Sequence, residues 1–245
     1  MNIKFLGTSY GAPSKERHQP SILIEENGSG YLFDAGAPVL DILVNGGYDL
    51  KRIKAIFITH MHGDHINGLF DVLNLANYFD MRFQIYLPDA KGVELVEQYC
   101  RLQNITFSDD RLTIRQILDG EFYCDEALTV RSVHTSHMEA VERSCFGFFV
   151  KSKSGTLYIT GDLHKTLKDF PDFLYTTFAD MIVTECAHFS PEDILEKISK
   201  CNVDRVAFIH VMPSAKYERL KELTKDIKIK FDFPCDGDEY KIEEE

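Results

Sequence analysis

The chain has 245 residues, a formal net charge of −12, 44% hydrophobic residues and six cysteines. That length and apolar content support a sizeable core in one globular domain, and with no apolar run of about eighteen residues nothing in the chain reads as a membrane span. The acidity disfavours a protein whose affinity comes from a long nucleic-acid backbone, because neutralising phosphates takes a basic surface. Cys100, Cys124, Cys145, Cys186, Cys201 and Cys235 are scattered without CxxC spacing. Together with a start that goes straight into an apolar strand, this points to reduced thiols and a cytoplasmic location.

Alternating and helical apolar periods give the elements in order. Residues 2–6, 21–25 and 31–34 read as strands, with Asn27-Gly28-Ser29-Gly30 as the loop of a hairpin, and 38–45 as a short helix stopped by Gly46-Gly47. The apolar run Ala55-Ile56-Phe57-Ile58 leads into a loop and then a helix over 66–78, with Ile66, Leu69, Phe70, Leu73 and Ala76 on its buried face. A strand at 83–87 and an amphipathic helix at 89–102 follow, then antiparallel strands at 113–118, 127–133, 146–150 and 157–160. The chain closes with a strand at 181–184, a helix capped by Ser190 with Pro191 in its first position and running to about 200, a strand at 206–209, a helix at 216–225 and a strand at 228–233.

Between the run 55–58 and the helix that follows lies His60-Met61-His62-Gly63-Asp64-His65, four metal-binding groups within six residues. Residues two apart in extended chain point the same way, so His60 and His62 can face one ion; Gly63 lets the backbone turn, and Asp64 and His65 can face a second position. Imidazoles with a carboxylate suit zinc, and also manganese or iron(II). Three later places could complete such a site: Val133-His134-Thr135-Ser136-His137, Thr160-Gly161-Asp162, and Phe208-Ile209-His210, each at the end of an apolar strand.

His60-x-His62-x-Asp64-His65 after an apolar strand resembles the HxHxDH signature of the metallo-β-lactamase superfamily. With Phe5-Leu6-Gly7-Thr8 and Pro13-Ser14-Lys15-Glu16-Arg17, it is most similar to the ribonuclease Z branch of phosphodiesterases. The resemblance implies an αββα sandwich, two mixed sheets face to face with helices on both outer sides. It would form a single domain over 1–245, with pseudo-equivalent halves at roughly 1–125 and 126–245.

The resemblance also implies two divalent ions, zinc foremost with manganese or iron as alternatives. Their ligands would be His60, His62 and His137 for one, Asp64, His65 and His210 for the other, and Asp162 between them. His134 is the rival to His137, the loser then being a supporting or substrate-contacting group. The implied nucleophile is a hydroxide between the ions, with Asp64 steering its proton. Asp34, in Phe33-Asp34-Ala35-Gly36, matches a motif that holds the metal loop from behind. Thr184-Glu185-Cys186-Ala187-His188 stands where ribonuclease Z carries His-Glu-Ala-Thr; Thr184 replaces the histidine, which leaves His188 either to reach the leaving group or to cap the next helix. His164 and the cluster Lys15, Arg17 and His18 are candidates for the mouth of the site, or plain solvated groups.

The expected activity is a metal-dependent phosphodiesterase acting on a small or cyclic phosphodiester, such as a cyclic nucleotide or cyclic sugar phosphate. Ribonuclease Z-type tRNA 3′ processing is the alternative, disfavoured by the acidic charge and by the lack of a basic Gly/Pro-rich arm between 87 and 150. A non-hydrolytic metal-dependent sensor of the same fold is a third reading. A homodimer is expected by analogy with the branch.

Overall fold

The computed structural model describes residues 1–106 and 110–243. The chain divides into two compact units. The first comprises Asn2–Leu118 and Cys235–Tyr240, and the second comprises Asp119–Pro234 with Met1 and Lys241–Glu245. Each contains its own seven-stranded mixed sheet. A short segment near the C-terminus, Cys235–Tyr240, goes with the first unit.

In the first unit the strands are β1 (Asn2–Gly7), β2 (Ser21–Glu26), β3 (Ser29–Phe33), β4 (Ile53–Phe57), β5 (Phe83–Leu87) and β6 (Leu112–Gln116), with β14 (Glu239–Lys241) beside β1. β1, β2 and β3 pair antiparallel, whereas β3, β4, β5 and β6 run parallel. Parallel neighbours need a crossover, and helices α1 (Val39–Asn45), α2 (Gly63–Leu75) and α3 (Ala90–Leu102) supply three in succession. Their apolar faces, including Leu43, Leu69, Leu73 and Val96, share a core with Leu32, Ile56 and Ile85 of the sheet. On the other face of those strands Phe33, Phe57 and Tyr86 stack in a row, with ring centroids 4.9 and 5.3 Å apart.

The second unit holds β7 (Gly120–Cys124), β8 (Leu128–Thr135), β9 (Cys145–Ser152), β10 (Thr156–Ile159), β11 (Ala179–Cys186), β12 (Val203–Val211) and β13 (Lys230–Asp232). The first four pair antiparallel and the last four parallel. Helices α4 (Pro191–Ile198) and α5 (Ala215–Thr224) cross between the parallel strands. Ile194, Ile198 and Leu220 pack with Ile182, Val206 and Phe208 in this unit's core. Two antiparallel steps separate β8 from β10, so β8, β10, β11 and β12 all run the same way and end at one edge of the sheet.

Two expectations need correction. The strand expected to be antiparallel at 113–118 is β6, which pairs parallel with β5; periodicity defines a strand but not its neighbour. The helix expected at 66–78 is α2, and it starts three residues earlier, because Gly63, Asp64 and His65 already take helical conformation, with the His65 amide donating to the His62 carbonyl at 3.0 Å. Strand β7, which pairs antiparallel with β8, and the short β14 lie outside the expected elements.

Candidate metal centre

In the first unit the donors gather where two parallel strands end side by side. Phe33 of β3 is in register with Phe57 of β4, so Asp34 and the segment from Thr59 onward emerge together. Asp34 turns away in the left-handed region at φ 58°, uncommon for a non-glycine residue and a mark of strain held by its surroundings. Its Oδ1 accepts from the Thr59 amide at 2.8 Å, and its Oδ2 accepts from His65 Nδ1 at 2.7 Å. The Thr59 hydroxyl touches both Asp34 oxygens and His60 Nδ1, all at 3.0 Å. One buried carboxylate and one hydroxyl thus fix two histidine rings by their Nδ1 atoms. Gly36 seals the arrangement, since a Cβ there would lie 2.4 Å from the Asp64 carbonyl oxygen.

The donor atoms have spacings that suit a cation. His60 Nε2 and His62 Nδ1 are 3.0 Å apart, and His65 Nε2 and Asp64 Oδ2 are 3.4 Å apart. Two imidazoles on a tetrahedral zinc, at the usual Zn–N length, have nitrogens about 3.3 Å apart. Asp64 and His65 occupy the first turn of α2. The loop at 8–18 belongs to the same unit: Asp236 accepts from the Thr8 amide at 2.9 Å and from the His18 amide at 2.5 Å, with His18 Nδ1 2.8 Å from Asp236 Oδ2, and Arg17 donates to the Thr8 hydroxyl at 2.5 Å. Arg17 and His18 are therefore engaged within their own loop, while Lys15 is exposed.

In the second unit the strand ends bring His137, Asp162, Glu185, His188 and His210 together. Asp162, 4% exposed, presents its two oxygens to different histidines: Oδ2 lies 3.7 Å from His137 Nε2 and Oδ1 lies 3.9 Å from His210 Nε2. His210 reaches this position through a bulge in β12, where two residues oppose Glu185 alone, and its own φ of 50° is left-handed. His188 Nδ1 is 2.8 Å from the Glu185 carboxylate and 3.9 Å from Asp162 Oδ2, and its ring lies 4.5 Å from that of His137. Asp162, Glu185 and His188 can bring one donor atom each within 4.8 Å of one another. Glu185 is nonetheless committed elsewhere, accepting from the amides of Leu163 and Ala187 at 2.8 Å and of His188 at 3.1 Å.

The two rival histidines part company here. His137 lies beyond the end of β8 beside Asp162, whereas His134 lies within β8, exposed, hydrogen-bonded to Asp119 and packed on Phe146. His164 pairs with the Thr166 hydroxyl at 2.9 Å. Thr184 is buried, with its hydroxyl 3.4 Å from that of Thr160. Burial pushes the Cys186 thiol up to about 12, so this neighbour of Glu185 stays protonated near neutral pH.

Three contributors were not among the residues singled out from the sequence. Thr59 joins Asp34 to His60. Asp169 accepts from the Ser136 amide at 2.6 Å and the His164 amide at 2.9 Å, tying the loop that bears His137 to the one that bears Asp162. Glu185 orients His188. Only Glu185 left a trace, as the acidic member of the segment 184–188.

The donors, buried imidazoles held from behind in the first unit and a carboxylate with its two oxygens turned to different histidines in the second, suit divalent metal ions. The family model for anti-Pycsar protein Apyc1 matches residues 1–199. The chain is 29% identical over 236 residues to ribonuclease Z of Bacillus mycoides strain KBAB4, covering 94% of this chain and 74% of that protein. It spans 49 to 59% of the length of further ribonuclease Z relatives that it matches. Among solved structures, the short form of human tRNase Z superposes with a TM-score of 0.78 at 22% identity over 99% of both chains. A diphosphatase from the PhnP family gives 0.72 at 16% identity over 100% of this chain and 99% of that one. The fold is the metallo-β-lactamase fold, and the protein is a metal-dependent hydrolase similar to ribonuclease Z. The matched segment makes up most of the sequence, and the chain belongs to the anti-Pycsar protein Apyc1 family.

Proposed function

We propose that the protein is a phosphodiesterase that hydrolyses a small or cyclic phosphodiester with two divalent ions, zinc foremost. The observation that carries this reading is the placement of Asp162, whose two oxygens face His137 and His210 separately, as a carboxylate shared by two ions must. His60, His62 and His137 would hold one ion and Asp64, His65 and His210 the other; the grouping across the chain rests on motif order and family membership. A divalent pair supplies Lewis acidity and lowers the pKa of water. Asp64 then steers the proton of the attacking water. His188, its Nδ1–H held by Glu185, gives its Nε2 proton to the leaving oxygen as the P–O bond breaks, and Glu185 stabilises the charged ring beforehand.

The net charge of −12 and the PhnP-family likeness favour a small substrate, while the ribonuclease Z relatives support tRNA 3′ processing. Metal analysis combined with hydrolysis of a bis-aryl phosphodiester in zinc and manganese tests the first reading. Asp162→Ala is expected to lower turnover by on the order of 10³-fold or more and to reduce bound metal. An inert metal-loaded protein, or full turnover by the variant, overturns it. Tight tRNA binding that weakens steeply with salt would instead support the second reading.

A further inference from the structure

Lys216, in the first turn of α5, takes no part in the reading above, yet its ammonium is surrounded by the loop that carries His188. Nζ donates to the carbonyl oxygens of Cys186 and Ala187 at 3.0 Å each and of Phe189 at 2.7 Å. An ammonium has three protons, and these three acceptors use them all, which leaves none for a substrate phosphate. The same loop is held on its amide side by Glu185, through the Ala187 and His188 N–H groups. The loop is thus clamped twice, its N–H groups on a carboxylate and its C=O groups on an ammonium, with the His188 ring between. α5 begins five residues after His210, so Lys216 also ties the strand end bearing His210 to the loop bearing His188.

Charge-assisted bonds of this kind are stronger than neutral ones. Glu185, buried in β11, aims the imidazole, but the ring itself is carried by the four-residue turn between β11 and α4, whose carbonyl side Lys216 holds. We infer that Lys216 is a positioning residue that locks His188 in the orientation from which it protonates the leaving group; this rests on the phosphodiesterase reading for its chemistry, though not for its geometry.

The inference separates two kinds of substrate. A p-nitrophenolate leaves without help, whereas an alkoxide needs a proton as the P–O bond breaks. Kinetics of the metal-loaded protein would compare bis(p-nitrophenyl) phosphate with a 3′,5′-cyclic nucleotide, whose leaving group is a ribose oxygen. Lys216→Met is expected to lower kcat on the cyclic substrate by on the order of 10²-fold with KM little changed, and to slow the aryl diester far less. Lys216→Arg should recover most of the loss. Adding Lys216→Met to His188→Ala should cost nothing further.

Imidazole NMR of the same proteins gives a readout independent of turnover: a sharp, slowly exchanging His188 Nδ1–H signal in the parent chain, broadened or lost in Lys216→Met at unchanged melting temperature and metal content. Equal slowing of both substrates, or an unaltered His188 signal, overturns the inference. If the parent protein turns over neither diester, the phosphodiesterase reading falls and the NMR comparison alone decides the role of Lys216.

Discussion

The donor sets of the two units are built in opposite ways. In the first, four donors lie within six consecutive residues, and the turn from β4 into α2 presents them with help from one strand neighbour, Asp34. In the second, the donors come from the ends of four separate strands and depend on groups far along the chain: Asp169 for the loop of His137, Glu185 and Lys216 for His188, and a bulge for His210. A contiguous motif concentrates its dependence on a single second contact, whereas a dispersed one spreads it over several.

That contrast can be broken at its narrowest point first. Asp34→Ala leaves the buried Thr59 and His65 without their acceptor, and the expected outcome is a loss of about 1–3 kcal/mol in stability and roughly 10- to 100-fold in metal affinity. Thermal melts and metal-competition titrations of the purified variant measure both. A variant as stable and as metal-avid as the parent would mean that the turn from β4 to α2 holds its donors by itself.

Asp169→Ala should act more gently, because it removes one tie among several. The expected loss is about 1–2 kcal/mol from two amides left without their carboxylate, with affinity reduced less than for Asp34→Ala. Hydrogen exchange at Ser136 and His164 should rise while exchange in α2 stays as it was. The smallest effect is expected from His134→Ala. That side chain is exposed and paired with an exposed aspartate, an arrangement worth about 0–1 kcal/mol. Metal content should be unchanged, and a variant depleted of metal would restore His134 as the rival of His137.

The same contrast explains what was legible in the amino-acid sequence. The strand, turn and helix around residues 55–78 follow from local periodicity, and so do their donors. His134 and His137 stayed open because the choice turns on where β8 stops: with the strand running to Thr135 rather than 133, His134 is a strand residue beside Phe146 and His137 lies past the end. Asp169 and Lys216 are an ordinary aspartate and an ordinary helical lysine in sequence, and only the meeting of loops gives them their acceptors and donors. Strand pairing is equally mute, so periodicity marks β6 without telling that it runs parallel to β5, and β7, a five-residue edge strand, leaves no signal.

The hydrogen bond from His65 to Asp34 bears on the proton stoichiometry of metal uptake. A carboxylate can only accept, so the neutral imidazole keeps its hydrogen at Nδ1 and its lone pair at Nε2. His65 therefore meets an incoming ion already in the ligand tautomer. Loading the neutral ring displaces no proton from it, so metal uptake needs no change of tautomer at His65.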